Sequence, residues 1–501
     1  MADYKTPGVY VEEKSTMSPS VAGVETAIPA FIGFTQSGPT NEPVAIANLL
    51  EYQNTFGKGN KLTINDKGEL CGQEYCLFDS MRLYFDNGGA DCYVISIGHY
   101  DHSIVDIPEA YKNAIDKLDE VTDVTLLLFP DAATVINDAD DLASVHQHAL
   151  LNCARHKSRF AILDLKIKET LAKTLESFRN GVSLNSETLS YGAAYYPYLR
   201  TTYVKDIPFE EVLKTILPKP EPANSDETVD ENDGAPVDDN IGNPADDTLP
   251  AAEDATIEEA GEEKEPTVWE RAEAIAKDTS DPERALKIAA IIPQLEGYDS
   301  ALAALQAQAA IVPPSGALAG IYAATDKRVG VWQAPANLGI AAVKGLTQII
   351  TDNQQDNMNE DPKTAKSVNA IRFFKGKGIL VWGSRTLNGG SNEWRYVPVR
   401  RLFNYVEQSV KLSTYWAVFQ PNDSNTWIKI KCQISNFLNN LWRDGALAGA
   451  TPEDAYFVEV GEGVTMTADD INRGYMIIRV GLAAVRPAEF IVLQFSHKVQ
   501  E

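Results

Sequence analysis

Residues 74–97 read EYCLFDSMRLYFDNGGADCYVISI, and this stretch decides the fold. Leu77, Phe78, Met81, Leu83, Tyr84 and Phe85 recur at helical spacing, and Asn87-Gly88-Gly89 stops the helix. The apolar run 92–97 (CYVISI) then reads as a core strand. Upstream, 28–35 (IPAFIGFT) is a buried-strand pattern closed by Gly38-Pro39. Downstream, 124–129 (VTLLLF) and 159–164 (RFAILD) read as further core strands, with a helix expected over 140–156. Strands alternating with helices predict an α/β layer domain.

Beyond Pro218 the composition changes. Residues 219–266 carry 17 acidic and 2 basic side chains, a net of −15 out of −27 for the chain. Aromatic residues are absent there, and too little apolar surface is present to offset chain entropy, so disorder is expected over 218–266. Helical patterns return over 267–310 (VWERAEAIAK, ERALKIAAII), and the whole 218–310 block reads as an insertion into the α/β domain, assigned 21–217 and 311–362. The last third, 363–501, reads as a separate unit with a net charge of +5. Its expected strands are 378–382, 394–398, 455–460, 474–480 and 489–496, with helices near 399–415 and 426–443. Residues 1–20 form an irregular arm with one strand pattern, Gly8-Val9-Tyr10-Val11-Glu12.

No window approaches the ~20 apolar residues of a membrane span, and MADYKTPGVY is not a secretory leader, so cytoplasmic synthesis is expected. Five scattered cysteines do not make a disulfide framework. Gly376-Lys377-Gly378 lacks a third glycine and precedes a strand, which fits a turn better than a nucleotide loop. His146, His148, Cys153 and His156 fall on different faces of one helix, so no metal site is expected. His99 and His102 lie in a polar loop. Cys71 and Cys76 lack a second ligand pair. A disordered acidic stretch cannot hold catalytic carboxylates at a fixed separation. No catalytic residue, cofactor or metal is therefore assigned.

A set of long motifs without catalytic logic remains. Thr6-Pro7-Gly8-Val9-Tyr10, IPAFIGFTQSGP (28–39), YFDNGGADCYV (84–94), VPPSGALAGIYAATDKRVGVWQAPANL (312–338), GILVWGSRTLNGGSNEWRYVPVRRLF (378–403), QPND (420–423), GALAG (445–449) and RPAEF (486–490) occur in order. Together they resemble the tail sheath family of contractile phages and related injection particles. Within that family, SPSVAGVETAIPAFIG (18–33) resembles the single-chain sheaths of antifeeding prophages and virulence cassettes. The resemblance fails over about 218–310.

The resemblance implies a multidomain α/β and α+β tail-sheath fold. An inner α+β domain comes from the C-terminal third plus exchanged terminal strands, and an α/β outer domain carries the insertion. It implies a structural subunit that polymerises helically as stacked hexameric rings around an inner tube protein. Baseplate proteins, a terminal cap and sheath paralogues would be its other partners. Neither nucleic acid binding nor membrane insertion is expected. The particle would be assembled in the cytoplasm and then released or anchored.

Strand donation is expected from Gly8, Val9, Tyr10, Val11 and Glu12 at one end. Phe490, Ile491, Val492, Leu493, Gln494 and Phe495 would serve at the other. Tyr475, Met476, Ile477, Ile478, Arg479 and Val480 would form the acceptor. Each arm would add roughly four to six backbone hydrogen bonds at ~0.5–1.5 kcal/mol each. Ser15–Ser20 and Gly481–Pro487 read as hinges. Arg400, Arg401, Lys411, Lys429, Lys431 and Arg443 are candidates to meet acidic groups on the tube. The competing classes are a true phage tail sheath, an α/β enzyme in 28–200, and a binding module using the acidic stretch.

Overall fold

The computed structural model describes residues 20–65, 67–101, 104–217 and 266–492. The expected strand at 8–13, the acidic stretch up to 265 and residues 493–501 lie outside them. A smaller compact unit consists of Thr63–Glu69 and Ile207–Leu305, and the rest of the described chain forms a larger one.

The larger unit is built on a nine-stranded sheet. Its strands are β1 (Pro29–Thr35), β2 (Val44–Ile46), β3 (Cys92–His99), β4 (Leu126–Leu128), β5 (Phe160–Asp164), β6 (Gly192–Tyr196), β7 (Leu338–Gly339), β8 (Asn369–Phe374) and β9 (Gly378–Val381). The spatial order is β7-β9-β8-β6-β5-β4-β1-β3-β2. The strands from β8 to β3 run parallel, and antiparallel strands close both edges. A parallel centre must be covered on both faces, and the pleat divides the side chains accordingly. Ile32, Ile95, Leu127, Leu163 and Ala194 point into one core. Phe31, Val94, Leu128, Ile162 and Tyr195 point into the other.

Helices α2 (Ile107–Lys117), α3 (Ala139–His156) and α4 (Leu171–Gly181) cover the first face through residues such as Tyr111, Leu150 and Phe178. Helices α1 (Leu77–Asp86) and α5 (Ser315–Arg328) cover the second with Leu77, Met81, Leu318 and Tyr322. The expected helix-to-strand unit is present: Asn87 ends α1 and Gly88 takes φ +96°, a left-handed backbone that suits glycine. Asn87 Nδ2 also donates to Leu83 O (2.8 Å), while its Oδ1 accepts from Ala341 N (2.8 Å). The spacing Gly316-x3-Gly320 lets α5 press onto α1. A Cβ at either glycine would sit 2.4 Å from a backbone carbonyl oxygen, that of Ser80 or Tyr84.

Two expectations change here, and the turn expected at Gly376–Gly378 is present. Strands β8 and β9 extend the α/β sheet, so the boundary expected at 363 does not follow the sheet. Gly376 and Gly378 form the positive-φ turn between β8 and β9. Residues 394–398 are not a strand: Val397 opens a helix, with Pro398 in the first turn where its missing N–H costs nothing.

The smaller unit contains helices Phe209–Ile216, Val268–Lys277 and Arg284–Ile291. It is held by a Phe209–Tyr298 ring contact (5.6 Å) and an Arg284–Glu210 ion pair (2.7 Å). Phe209–Ile216 therefore belongs with the inserted helices rather than with the α/β sheet. Strand Leu199–Thr201 pairs antiparallel with Ile311–Val312, which brings the entry and exit of the insertion together.

Candidate functional site: the C-terminal helices, an open two-stranded sheet and two arm roots

Helices α6 (Val397–Ser413) and α7 (Ser424–Arg443) form a hairpin whose core includes Leu402, Val406, Ile430, Ile434, Phe437, Leu438 and Val458. The QPND motif begins α7. Asp423 accepts from Thr426 N (3.0 Å), satisfying a first-turn N–H. Asn422 accepts from Trp427 Nε1 (2.7 Å) and donates to Tyr475 O (2.9 Å). In GALAG, Gly445 turns the chain with φ +85°, and Ala448 N donates to Ala483 O (2.7 Å).

On this hairpin rests a two-stranded antiparallel sheet of β10 (Tyr456–Val460) and β11 (Ile478–Leu482), registered from Tyr456 opposite Leu482 to Val460 opposite Ile478. The expected acceptor residues Ile478, Arg479 and Val480 lie in β11, whereas Tyr475, Met476 and Ile477 precede the strand as non-strand chain. Among the described residues no third strand joins this sheet. Two strands alone are marginal in water, and their outward N–H and C=O groups offer a template for further pairing.

The N-terminal arm is rooted on α6. Val24 N donates to Ser409 Oγ (3.2 Å), and Arg401 Nη2 donates to Thr26 O (2.9 Å). Thr26 Oγ1 donates to Asp326 Oδ2 (2.6 Å), and Asp326 is ion-paired with Arg401. The expected donor residues Gly8, Val9, Tyr10, Val11 and Glu12 lie outside the described residues, as do Leu493, Gln494 and Phe495. Phe490, Ile491 and Val492 are 73%, 79% and 78% exposed and form no strand with their own subunit. The hinge expected over Gly481–Pro487 is not free. Gly481 lies in β11, Ala483 N donates to Ala455 O (2.8 Å), and Val485 N donates to Ala446 O (3.2 Å).

The six candidate basic residues separate into two groups. Arg400 and Arg401 are buried, which removes them from any tube-facing surface. Arg400 Nε donates to Asn404 Oδ1 (2.9 Å), and its guanidinium lies over the Trp394 ring (4.0 Å), where burial pulls its pKa down. Arg401 binds Asp326 with both terminal nitrogens. The missed signal is helical phase: Arg401 stands four residues after buried Val397, on its inward face. Lys411, Lys429, Lys431 and Arg443 are exposed. The 20 residues of α7 include no acidic side chain, so every charge it presents to solvent is positive.

Three of the histidines considered for chemistry have structural partners, and His102 lies outside the described residues. His146 is buried edge-on against Phe178, with its pKa held down at about 3 by desolvation. His148 and His156 bond Asp116 and Asp119 (2.8 Å each). Two carboxylates are buried near the ends of parallel strands. Asp131 accepts from Phe34 N (2.7 Å) and Cys76 N (2.6 Å), and Asp164 accepts from the Ser315 N–H (3.1 Å) and hydroxyl. Burial pushes both up to about 7. Each ties a strand to a helix start. Among the described residues no His, Cys, Asp and Glu cluster is suited to a metal, and no helix is long and apolar enough to cross a membrane.

Residues 390–498 match the phage tail sheath C-terminal domain. The chain is 24% identical over 184 residues to the tail sheath protein of Vibrio phage KVP40, and 21% over 184 residues to that of Enterobacteria phage T4. These matches cover 37% of this chain and only about a quarter of the curated relatives (26% and 27%). Among solved structures, it is similar to the PVC sheath of an extracellular contractile injection system in the contracted state (28% identity, 100% of this chain and 99% of that one, TM-score 0.61). It is equally similar to the contracted helical sheath of the anti-feeding prophage (28%, 99% and 100%, TM-score 0.61). Residues 390–498 thus match a tail-sheath C-terminal domain, and the chain as a whole is similar in its mixed α/β architecture to the sheaths of contractile injection systems.

Proposed function

We propose that this chain is the structural sheath subunit of a phage-tail-like contractile injection particle. It polymerises helically around an inner tube, is held extended, and shortens to drive the tube through a target envelope. The observation that carries this reading is the open sheet of β10 and β11 in the same subunit as an unpaired apolar segment, Phe490–Val492. A donated strand completes such a sheet, and a head-to-tail contact of this kind propagates rather than closing into a dimer. The whole-chain likeness to injection-particle sheaths favours that particle over a phage tail, whose curated sheaths match over a shorter span.

Contraction on this reading is a change between two packings of rigid subunits tethered by their arms, and it needs no nucleotide. The cationic face formed by Lys411, Lys429, Lys431 and Arg443 meets acidic groups of the tube. Exposed pairs of ~0–1 kcal/mol each are weak enough to break on firing. Baseplate and cap proteins bound the polymer, and assembly takes place in the cytoplasm.

Electron microscopy of the chain co-expressed with its tube tests the reading. Striated cylinders of two lengths are expected from the full chain. Chains lacking 1–14 or 490–501 should remain folded but form no continuous cylinder that shortens as a unit. Cylinders that form and shorten normally without these segments overturn strand donation.

A further inference from the structure

The C-terminal arm does not leave the subunit where its composition suggests. Beyond β11, Arg486 and Ala488 are already exposed, but the chain is still docked at Glu489, and residues 490–492 are exposed without a break. Glu489 is held by Arg385: Nε lies 2.9 and 3.1 Å from the two carboxylate oxygens, and Nη2 lies 2.7 Å from Oε2. Tyr396 OH donates a further bond to Oε2 (3.1 Å). The Arg385 side chain is 5% exposed and that of Glu489 21%.

Arg385 is itself fixed to the sheet. Its Nη1 donates to Asn359 O (3.0 Å), and its backbone N–H donates to Asn369 Oδ1 (2.7 Å). Asn369, the first residue of β8, returns a bond from Nδ2 to Arg385 O (2.8 Å) and another to Ala194 O in β6 (3.2 Å). A continuous polar path therefore runs from the arm to the middle of the nine-stranded sheet.

We propose that Arg385, with Tyr396, is the mechanical root of the C-terminal arm. It makes residue 490 the first free position and passes tension from a donated strand into the nine-stranded sheet. The inference rests on the strand-donation reading above. Without this root, tension would peel the three backbone bonds of Val485 and Ala483 one after the other. The planar guanidinium fork grips both carboxylate oxygens at once, which a lysine cannot do. Burying an arginine is costly unless its charge is paired and its N–H groups are bonded. Glu489 meets most of that cost here, because the other carboxylate near Arg385, that of Glu360, lies 4.0 Å from Nη1 and is 60% exposed.

The test uses the full chain. In the isolated subunit, Glu489→Gln and Arg385→Lys should speed hydrogen exchange of amides 483–489 at least about tenfold, with sheet amides unchanged. Tyr396→Phe should give a smaller acceleration. With the tube present, Glu489→Gln cylinders should assemble and then break into short pieces when shortening is triggered. Unchanged exchange overturns the root. So does faster exchange combined with unbroken shortened cylinders, because tension then bypasses Arg385. Deletion of 490–501 reports separately on strand donation, since the exchange experiment needs no assembly.

Discussion

Arg400 and Arg401 are the clearest case in which a charge counted as surface is a piece of internal structure. The Arg401–Asp326 pair links α6 to α5 and holds Thr26, the root of the N-terminal arm. Asp326→Ala leaves a buried guanidinium unpaired and should cost about 3–5 kcal/mol in denaturant unfolding of the subunit. Asp164 makes a pH prediction. Its folded pKa of about 7 lies above the ordinary carboxylate value, so the native state holds a proton that the unfolded chain has released. Its contribution is complete below about pH 4 and is lost as pH rises through about 7. His146, held near 3, gives the opposite slope below its unfolded value. The measurement is therefore the difference between the wild type and Asp164→Asn, which keeps one acceptor for the Ser315 N–H and a donor for its hydroxyl. Wild-type stability relative to this variant should fall by about 2–4 kcal/mol between pH 4 and 8.

Among the elements, α1 and α5 depend on glycine for their separation. A side chain at Gly320 meets the backbone of Tyr84, which cannot swing away. Gly320→Val should destabilise the subunit by about 2–4 kcal/mol in chemical denaturation, whereas Gly68→Ala, with open space around it but φ +80°, should cost about 1 kcal/mol. Helix-to-strand alternation was legible from 28 to 164 because each strand is covered on both faces and reads as a continuous apolar run. Residues 394–398 misled because WRYVP has strand composition, but Pro398 occupies a helix start. Likewise, nothing local in 474–480 marks the strand as beginning at Ile478. Its register is set by pairing with β10.

For the whole molecule, net charge is uneven: residues 219–266 carry −15 of the total −27, whereas residues 363–501 carry a net +5. Deleting 219–265 should leave cylinder formation intact, checked by microscopy of the co-expressed particle, because the chain enters and leaves the insertion at the paired strands 199–201 and 311–312. Reversing Lys411, Lys429 and Lys431 to glutamate should leave subunit melting within about 1 kcal/mol of wild type, as these side chains are exposed. It should reduce tube co-sedimentation, with the largest effect at low salt. Unchanged co-sedimentation would remove this face from the tube contact.

The amino-acid sequence alone determined the α/β alternation and the resemblance to tail sheaths, because these reside in local periodicity and in ordered motifs. Tertiary structure alone decided which arginines are buried, where the sheet ends and where the C-terminal arm becomes free. Those outcomes depend on contacts between residues such as Arg385 and Glu489, 104 positions apart. No local pattern encodes a partner that only folding brings within bonding distance.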